Sequence, residues 1–242
     1  MPDNENTKQI KSRQRVADHG EVFTNPRDVN AMLDLVRDES FRLDSRFLEP
    51  ACGDGNFLIE ILRRKLSLLQ DLKSPTDWEF QSLIAVGSCY GIDILPDNAE
   101  ACRTRLETYV LSQHPASERL NARSAGNTIQ AQRSVVSQPT PCSVVDETPY
   151  LLSLRYMLRK NIVCGDALTY RTAENKPITF CEWTPIACSM QFSRRDFQFD
   201  FLVTQSHQYS LFDEQGEAQS FDEPVHTYPP LHYTQLYRYD TL

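Results

Sequence analysis

The sequence predicts an α/β fold built on a mostly parallel sheet with helices on both faces. Short apolar runs alternate with longer segments of helical spacing, in the order strand, helix, strand, helix, strand. The first run, residues 47–51, opens directly into the glycine turn Cys52-Gly53-Asp54-Gly55-Asn56. The second and third runs end near Asp93 and Asp166, which a parallel sheet brings to the same edge as that turn.

Taken in chain order, residues 1–20 are polar and expected to stay poorly ordered until docked. Val22-Phe23-Thr24-Asn25-Pro26 then leads into a helix with Val29, Met32, Leu33 and Val36 at helical spacing; Thr24 or Asn25 caps it and Pro26 takes its first position. After the glycine turn, Phe57, Leu58, Ile61, Leu62, Leu66 and Leu69 form one apolar stripe. Ser74-Pro75-Thr76-Asp77 interrupts the pattern before a second helical stretch at 78–86. Cys89-Tyr90-Gly91-Ile92-Asp93-Ile94 reads as the second strand, and Leu95-Pro96-Asp97-Asn98 as the turn and cap of a helix reaching about Leu111. Ser, Gln, Thr, Pro and Asn dominate 113–147 without periodicity, as in a long loop insertion. Residues 150–158 return to helical spacing, and 161–167 form the third strand. Residues 178–183 and 191–197 suit a hairpin, and 199–203 a fourth strand. The organisation is thus a polar segment (1–20), one domain (21–205) with an insertion near 113–147, and a polar, aromatic tail (206–242).

Composition narrows the function classes. With 40% hydrophobic residues, the 242-residue chain can bury a sizeable core. No apolar run approaches the ~20 residues needed to cross a bilayer, and the polar N-terminus lacks a signal core, so a cytoplasmic location is expected. The seven cysteines form no C-x-x-C pair and the five histidines show no ligand spacing, which points to reduced thiols and no metal site. The net charge of −8 bears on nucleic-acid binding, which draws on Lys and Arg. Such a chain must use a local basic face, as around 8–15, 63–65, 155–160 or 194–195, or leave the task to a partner subunit.

The glycine turn and the two acids carry the chemistry. Glycines between a strand and a helix let backbone N–H groups approach a ligand. An acid after the second strand suits a ribose diol, and one after the third suits an adenine amine, which together make a nucleoside cradle. A dinucleotide-dehydrogenase fingerprint needs a third glycine or an alanine where Leu58 stands, and an acid ~20 residues beyond the turn, much nearer than Asp93.

Glu49-Pro50-Ala51-Cys52-Gly53-Asp54-Gly55-Asn56-Phe57-Leu58 resembles the cofactor motif DPACGSGxFL of adenine-specific (N6) DNA methyltransferases, including modification subunits of restriction-modification systems. Phe23-Thr24-Asn25-Pro26 resembles that family's upstream aromatic-Thr-Pro segment, with Asn25 inserted; Gly91-Ile92-Asp93-Ile94 and Gly165-Asp166 resemble its second- and third-strand motifs. The resemblance spans roughly 20–112 and 150–205. It implies a Rossmann-like methyltransferase fold and S-adenosyl-L-methionine as cofactor. Phe23 and Thr24 would close over the methionine end; Glu49, Ala51, Cys52, Gly53, Asp54 and Gly55 would hold the amino-acid moiety. Asp93 would take the ribose and Asp166 the adenine amine, with Ile94 and Ala167 flanking the ring.

The family's catalytic motif, Asn or Asp followed by Pro-Pro and an aromatic, is missing after 199–203, where the chain reads Thr204-Gln205-Ser206-His207-Gln208-Tyr209. Gln205 as acceptor and Tyr209 as stacking partner are the only catalytic candidates there. The double proline in Tyr228-Pro229-Pro230-Leu231 has the wrong neighbours and follows no evident strand, so it reads as a turn or docking segment. Three readings stay open: an enzyme methylating adenine in DNA through a replaced loop, a cofactor-binding subunit completed by a specificity or catalytic partner, and a degenerate methylase kept for binding or sensing. An RNA or small-molecule methyltransferase ranks below these.

Overall fold

The computed structural model describes residues 13–19, 24–115, 147–206 and 224–241. A three-stranded parallel sheet contains β1 (Phe47–Glu49), β2 (Cys89–Asp93) and β3 (Ile162–Cys164) in the order β1-β2-β3. Helices α4 (Asn56–Ser67) and α5 (Pro75–Gly87) connect β1 to β2; α6 (Pro96–Gln113) and α7 (Pro149–Asn161) lie between β2 and β3. Upstream are α1 (Arg13–His19), α2 (Pro26–Asp34) and α3 (Arg37–Ser40). Within the segment 1–20, expected to stay poorly ordered until docked, residues 13–19 form α1.

Three helices start by one device: a capping side chain followed at once by proline, whose missing N–H has no partner to lose there. Asn25 accepts from the Arg27 amide at 2.8 Å, Ser74 from Asp77 at 3.3 Å, and Thr148 from Leu151 at 3.2 Å. Deeper in, the Lys65 ammonium donates to the Leu43 and Ser45 carbonyls and to the Ser88 hydroxyl, tying the end of α4 to the starts of β1 and β2.

The two faces of the sheet are covered differently. Phe47, Cys89 and Ile162 pack into the core that contains α4, α5, α6 and α7. Tyr90, Ile92 and Val163 point the other way and meet Ile178, Phe180 and Phe199. Two successive crossovers of one hand and one direction place all their helices on the same face. The described crossover helices thus share one face, while a short helix beginning at Phe199 meets the other beside Ile178 and Phe180; most buried side chains of a second, antiparallel sheet (Cys181, Trp183 and Phe192) join the core of the crossover helices.

That second sheet has the order β4-β5-β6, from β4 (Thr179–Ile186), β5 (Gln191–Gln198) and β6 (His226–His232). The expected hairpin is present, with Phe180 opposite Phe197 and Trp183 opposite Arg194. The expected fourth strand is not: α8 (Phe199–Ser206) occupies those residues. Periodicity does not separate a short apolar run in a strand from one in a helix. Here packing decides, since the Phe199 amide donates to the Ile178 carbonyl at 2.8 Å and its ring meets Phe180 and Tyr170 edge-on.

The double proline is also relocated, from a turn into β6. β6 lies at the sheet's edge, where a missing N–H is tolerated, and Pro229 and Pro230 coincide with a register shift opposite Ser193. The 3-10 segment Tyr233–Thr241 follows, with Leu236 and Tyr239 fully buried and the Tyr239 hydroxyl donating to the Phe192 carbonyl at 2.6 Å. Residues 224–241, read as part of a tail, are thus a structural part of the core. Of the loop insertion expected near 113–147, residues 116–146 lie outside the described residues. No helix among the described residues is long and apolar enough to cross a membrane.

Candidate functional site

Beyond the carboxyl ends of β1, β2 and β3 lies a cleft of about 520 Å³, within the roughly 300–1,000 Å³ typical of small-molecule sites. The chain leaves β1 through Pro50 and Ala51, then turns back so that the Cys52 amide donates to the Ile92 carbonyl at 2.8 Å. Gly55 closes the turn with φ +92° and starts α4; a side chain there would put Cβ 2.7 Å from the Cys102 sulfur. Gly91 is constrained less severely, because a Cβ would lie 3.0 Å from both Cys52 Sγ and a Leu58 methyl.

Asp93 is the hub of the site. It is buried, its Oδ2 accepts from the Gly53 amide at 2.8 Å, and its Oδ1 accepts from the Leu95 amide at 2.9 Å and from Asn98 Nδ2 at 3.2 Å. A carboxylate offers about four acceptor positions, so roughly one remains for a ligand hydroxyl. Asp166 turns on its own loop, accepting from the Leu168 amide at 2.8 Å and the Thr169 hydroxyl at 3.0 Å, and these bonds hold its carboxyl below the usual range. Glu49 behaves oppositely: burial raises its pKa, against the hydrogen bond from the Ala51 backbone.

The cleft brings together most of the residues expected from the sequence: Thr24, Glu49, Ala51, Cys52, Gly53, Asp93, Ile94, Asp166 and Ala167 all line it. Asp54 and Gly55 do not. Asp54 makes an ion pair with Arg105 of α6 at 3.2 Å, and Gly55 serves the backbone turn. Phe23 and Tyr209 lie outside the described residues, and Gln205 falls within α8.

Sequence reasoning missed Asn56, Asn98 and Leu168 as lining residues. Asn56 bridges two elements: its Nδ2 donates to the Thr24 carbonyl at 3.2 Å and its Oδ1 accepts from Arg105 at 2.7 Å. Leu168 is 88% exposed and Ile94 57% exposed, so two large apolar side chains stand in solvent at the cleft, one after each acid. The apolar residue closely following each acid was a signal available in the sequence.

Among the described residues, the lining contains three carboxylates and no lysine or arginine. A phosphate would meet uncompensated negative charge there, whereas a cation with a sugar and a flat apolar ring would find partners for each part. Among the described residues, the cleft included, no group of three or more His, Cys, Asp or Glu side chains could hold a metal ion. No protein-family model, curated protein or solved structure matches the chain.

Proposed function

We propose that the cleft binds S-adenosyl-L-methionine on a Rossmann-like methyltransferase framework. We further propose that the protein is a DNA adenine methyltransferase-like member of a restriction-modification or related defence system. The observation that carries this reading is the set of three carboxylates, with no Lys or Arg among the described lining residues, around a cleft at the carboxyl ends of three parallel strands. The residues fit the cofactor part by part. Glu49 suits the ammonium or sulfonium charge, and the Gly53 turn with the N-terminus of α4 suits the carboxylate. The remaining acceptor of Asp93 suits a ribose hydroxyl, and Asp166 the adenine amine. Ile94, Ala167 and Leu168 suit the faces of the ring.

Bound there, the cofactor would supply an electrophilic methyl group to a nucleophile aligned with its carbon–sulfur bond. The chain's own contribution is to hold the nucleoside, neutralise positive charge and keep the amino-acid end against the turn. An adenine acceptor also needs hydrogen-bond acceptors for its amine protons and a stacking ring, usually on a base turned out of the duplex.

A second reading, a non-catalytic cofactor-binding subunit or degenerate methylase, is favoured by one specific observation. The segment that should carry the catalytic Asn/Asp-Pro-Pro-aromatic motif is α8, and the chain's proline pair sits in β6. The deciding experiment is transfer of labelled methyl to unmethylated bacterial DNA, with nucleoside analysis of the product. N6-methyladenine supports the enzyme. Cofactor binding without transfer supports the subunit, with DNA reached through a partner chain. Absence of binding contradicts both.

A further inference from the structure

Asp93 receives two of its three hydrogen bonds from backbone amides that the fold fixes, those of Gly53 and Leu95. The third comes from a side chain, Asn98, whose own orientation needs a cause. Asn98 is 1% exposed, and an amide can point either end toward a neighbour. The carboxylate of Asp93 demands the NH₂ end. At the other end, Arg15 Nη2 donates to Asn98 Oδ1 at 3.3 Å. Arginine can only donate, so this contact demands the carbonyl end, and the two requirements agree. Arg15 is itself held by a fork onto Asp97, at 2.8 and 3.2 Å.

Arg15 belongs to α1, which lies outside the sheet and its crossovers. The same N-terminal stretch is fixed again at the start of α4, where Asn56 donates to the Thr24 carbonyl. Its two anchor points therefore adjoin the N-termini of α6 and α4, and Thr24, Asn56 and Asn98 all line the cleft.

We infer that Arg15 is a positioning residue for the ribose end of the site: through Asn98 it orients the Asp93 carboxylate, coupling the docking of α1 to nucleoside binding. The inference rests on the reading of the cleft as a nucleoside cofactor site. Coupling is reciprocal, so a ligand on Asp93 stabilises the docked α1 by the factor that docking adds to affinity.

The test is calorimetry on the full chain with S-adenosylhomocysteine and its 2′,3′-dideoxy analogue, for the native protein, Arg15→Ala and Arg15→Lys. Arg15→Ala is expected to weaken the parent ligand about three- to tenfold, the range of one lost hydrogen bond. It should leave the dideoxy analogue unchanged, because the lost contact acts only through the ribose hydroxyls. Arg15→Lys, which keeps a donor and the charge opposite Asp97, should restore most of the loss. An equal loss on both ligands would make Arg15 a general structural contact and overturn the inference. So would unchanged affinity of Arg15→Ala for the parent ligand. Failure of the native protein to bind S-adenosylhomocysteine would instead remove the cofactor reading, and the inference with it.

Discussion

Glu49 ends β1 with a carboxyl that burial holds above the ordinary carboxylate range, opposed by the Ala51 backbone hydrogen bond. Between the ordinary value of 4.5 and the raised one, the folded chain binds more protons than the unfolded chain. Its stability from this group is therefore present at low pH and declines as pH rises through that window. Glu49→Gln removes the buried charge, so without ligand it should melt higher than the native protein at neutral pH. The same change deletes the partner of a cationic ligand and should weaken S-adenosylmethionine by about 1–3 kcal/mol, read by calorimetry. In the native protein, affinity should fall as pH drops through the raised pKa of Glu49, because the protonated acid no longer attracts a cation. Asp93→Ala cannot separate the two effects: it strands the Gly53 and Leu95 amides and should lower stability and binding together. Asp93 and Asp166 were legible in the sequence because the strand pattern places them at one edge, and Glu49 through the resemblance of the glycine-turn motif. Asn98, Asn56 and the outward turn of Asp54 were not, since each depends on a partner tens of residues away or on another element.

Elements whose signals are local were read correctly, whereas those set by packing were not. The Thr24 or Asn25 cap with Pro26 announced α2 and the glycine turn announced α4, whereas α5 and α7 were read from their periodicity alone, with Ser74-Pro75 taken as a break and the Thr148 cap unread. At that turn, Gly55→Ala would force a side chain into φ +92° and against the Cys102 sulfur. Left-handed strain and overpacking together should cost about 2–4 kcal/mol, measured by chemical denaturation, and Cys102→Ala in the same chain should recover part of it. Residues 199–206 carry an apolar run compatible with either state, and the contacts of Phe199 with Ile178, Phe180 and Tyr170 favour the helix. β6 was hidden because prolines argue against a strand unless its edge position and register shift are known. The 3-10 segment after it looked like a polar tail, yet Leu236→Ala should destabilise by about 2–5 kcal/mol if it is core; a loss below about 0.5 kcal/mol would mark it as peripheral.

At the scale of the molecule, the parallel sheet has its crossover helices on one face and α8 with Ile178 and Phe180 on the other, while the antiparallel sheet packs through Trp183 and Phe192 into the helical core. The α/β class and the single edge of ligand-facing strand ends follow from strand order. The unequal coverage of the faces does not, because it depends on where β4, β5 and β6 dock after leaving the parallel sheet. That docking is secured by Arg194, buried among Trp183, Tyr228 and Tyr239 and bonded twice to Asp196 at 2.7 Å. Arg194→Ala should cost about 3–5 kcal/mol in denaturant unfolding, since it strands a buried carboxylate. At the cleft the described lining holds Glu49, Asp93 and Asp166 and no basic residue. The most direct test of the central claim sets S-adenosylmethionine against nicotinamide adenine dinucleotide, two nucleoside ligands that differ in charge, in parallel calorimetric titrations of the full chain. The account predicts one bound S-adenosylmethionine per chain and no heat from the dinucleotide, whose pyrophosphate would face three carboxylates. Binding of the dinucleotide, or of neither ligand, would contradict it.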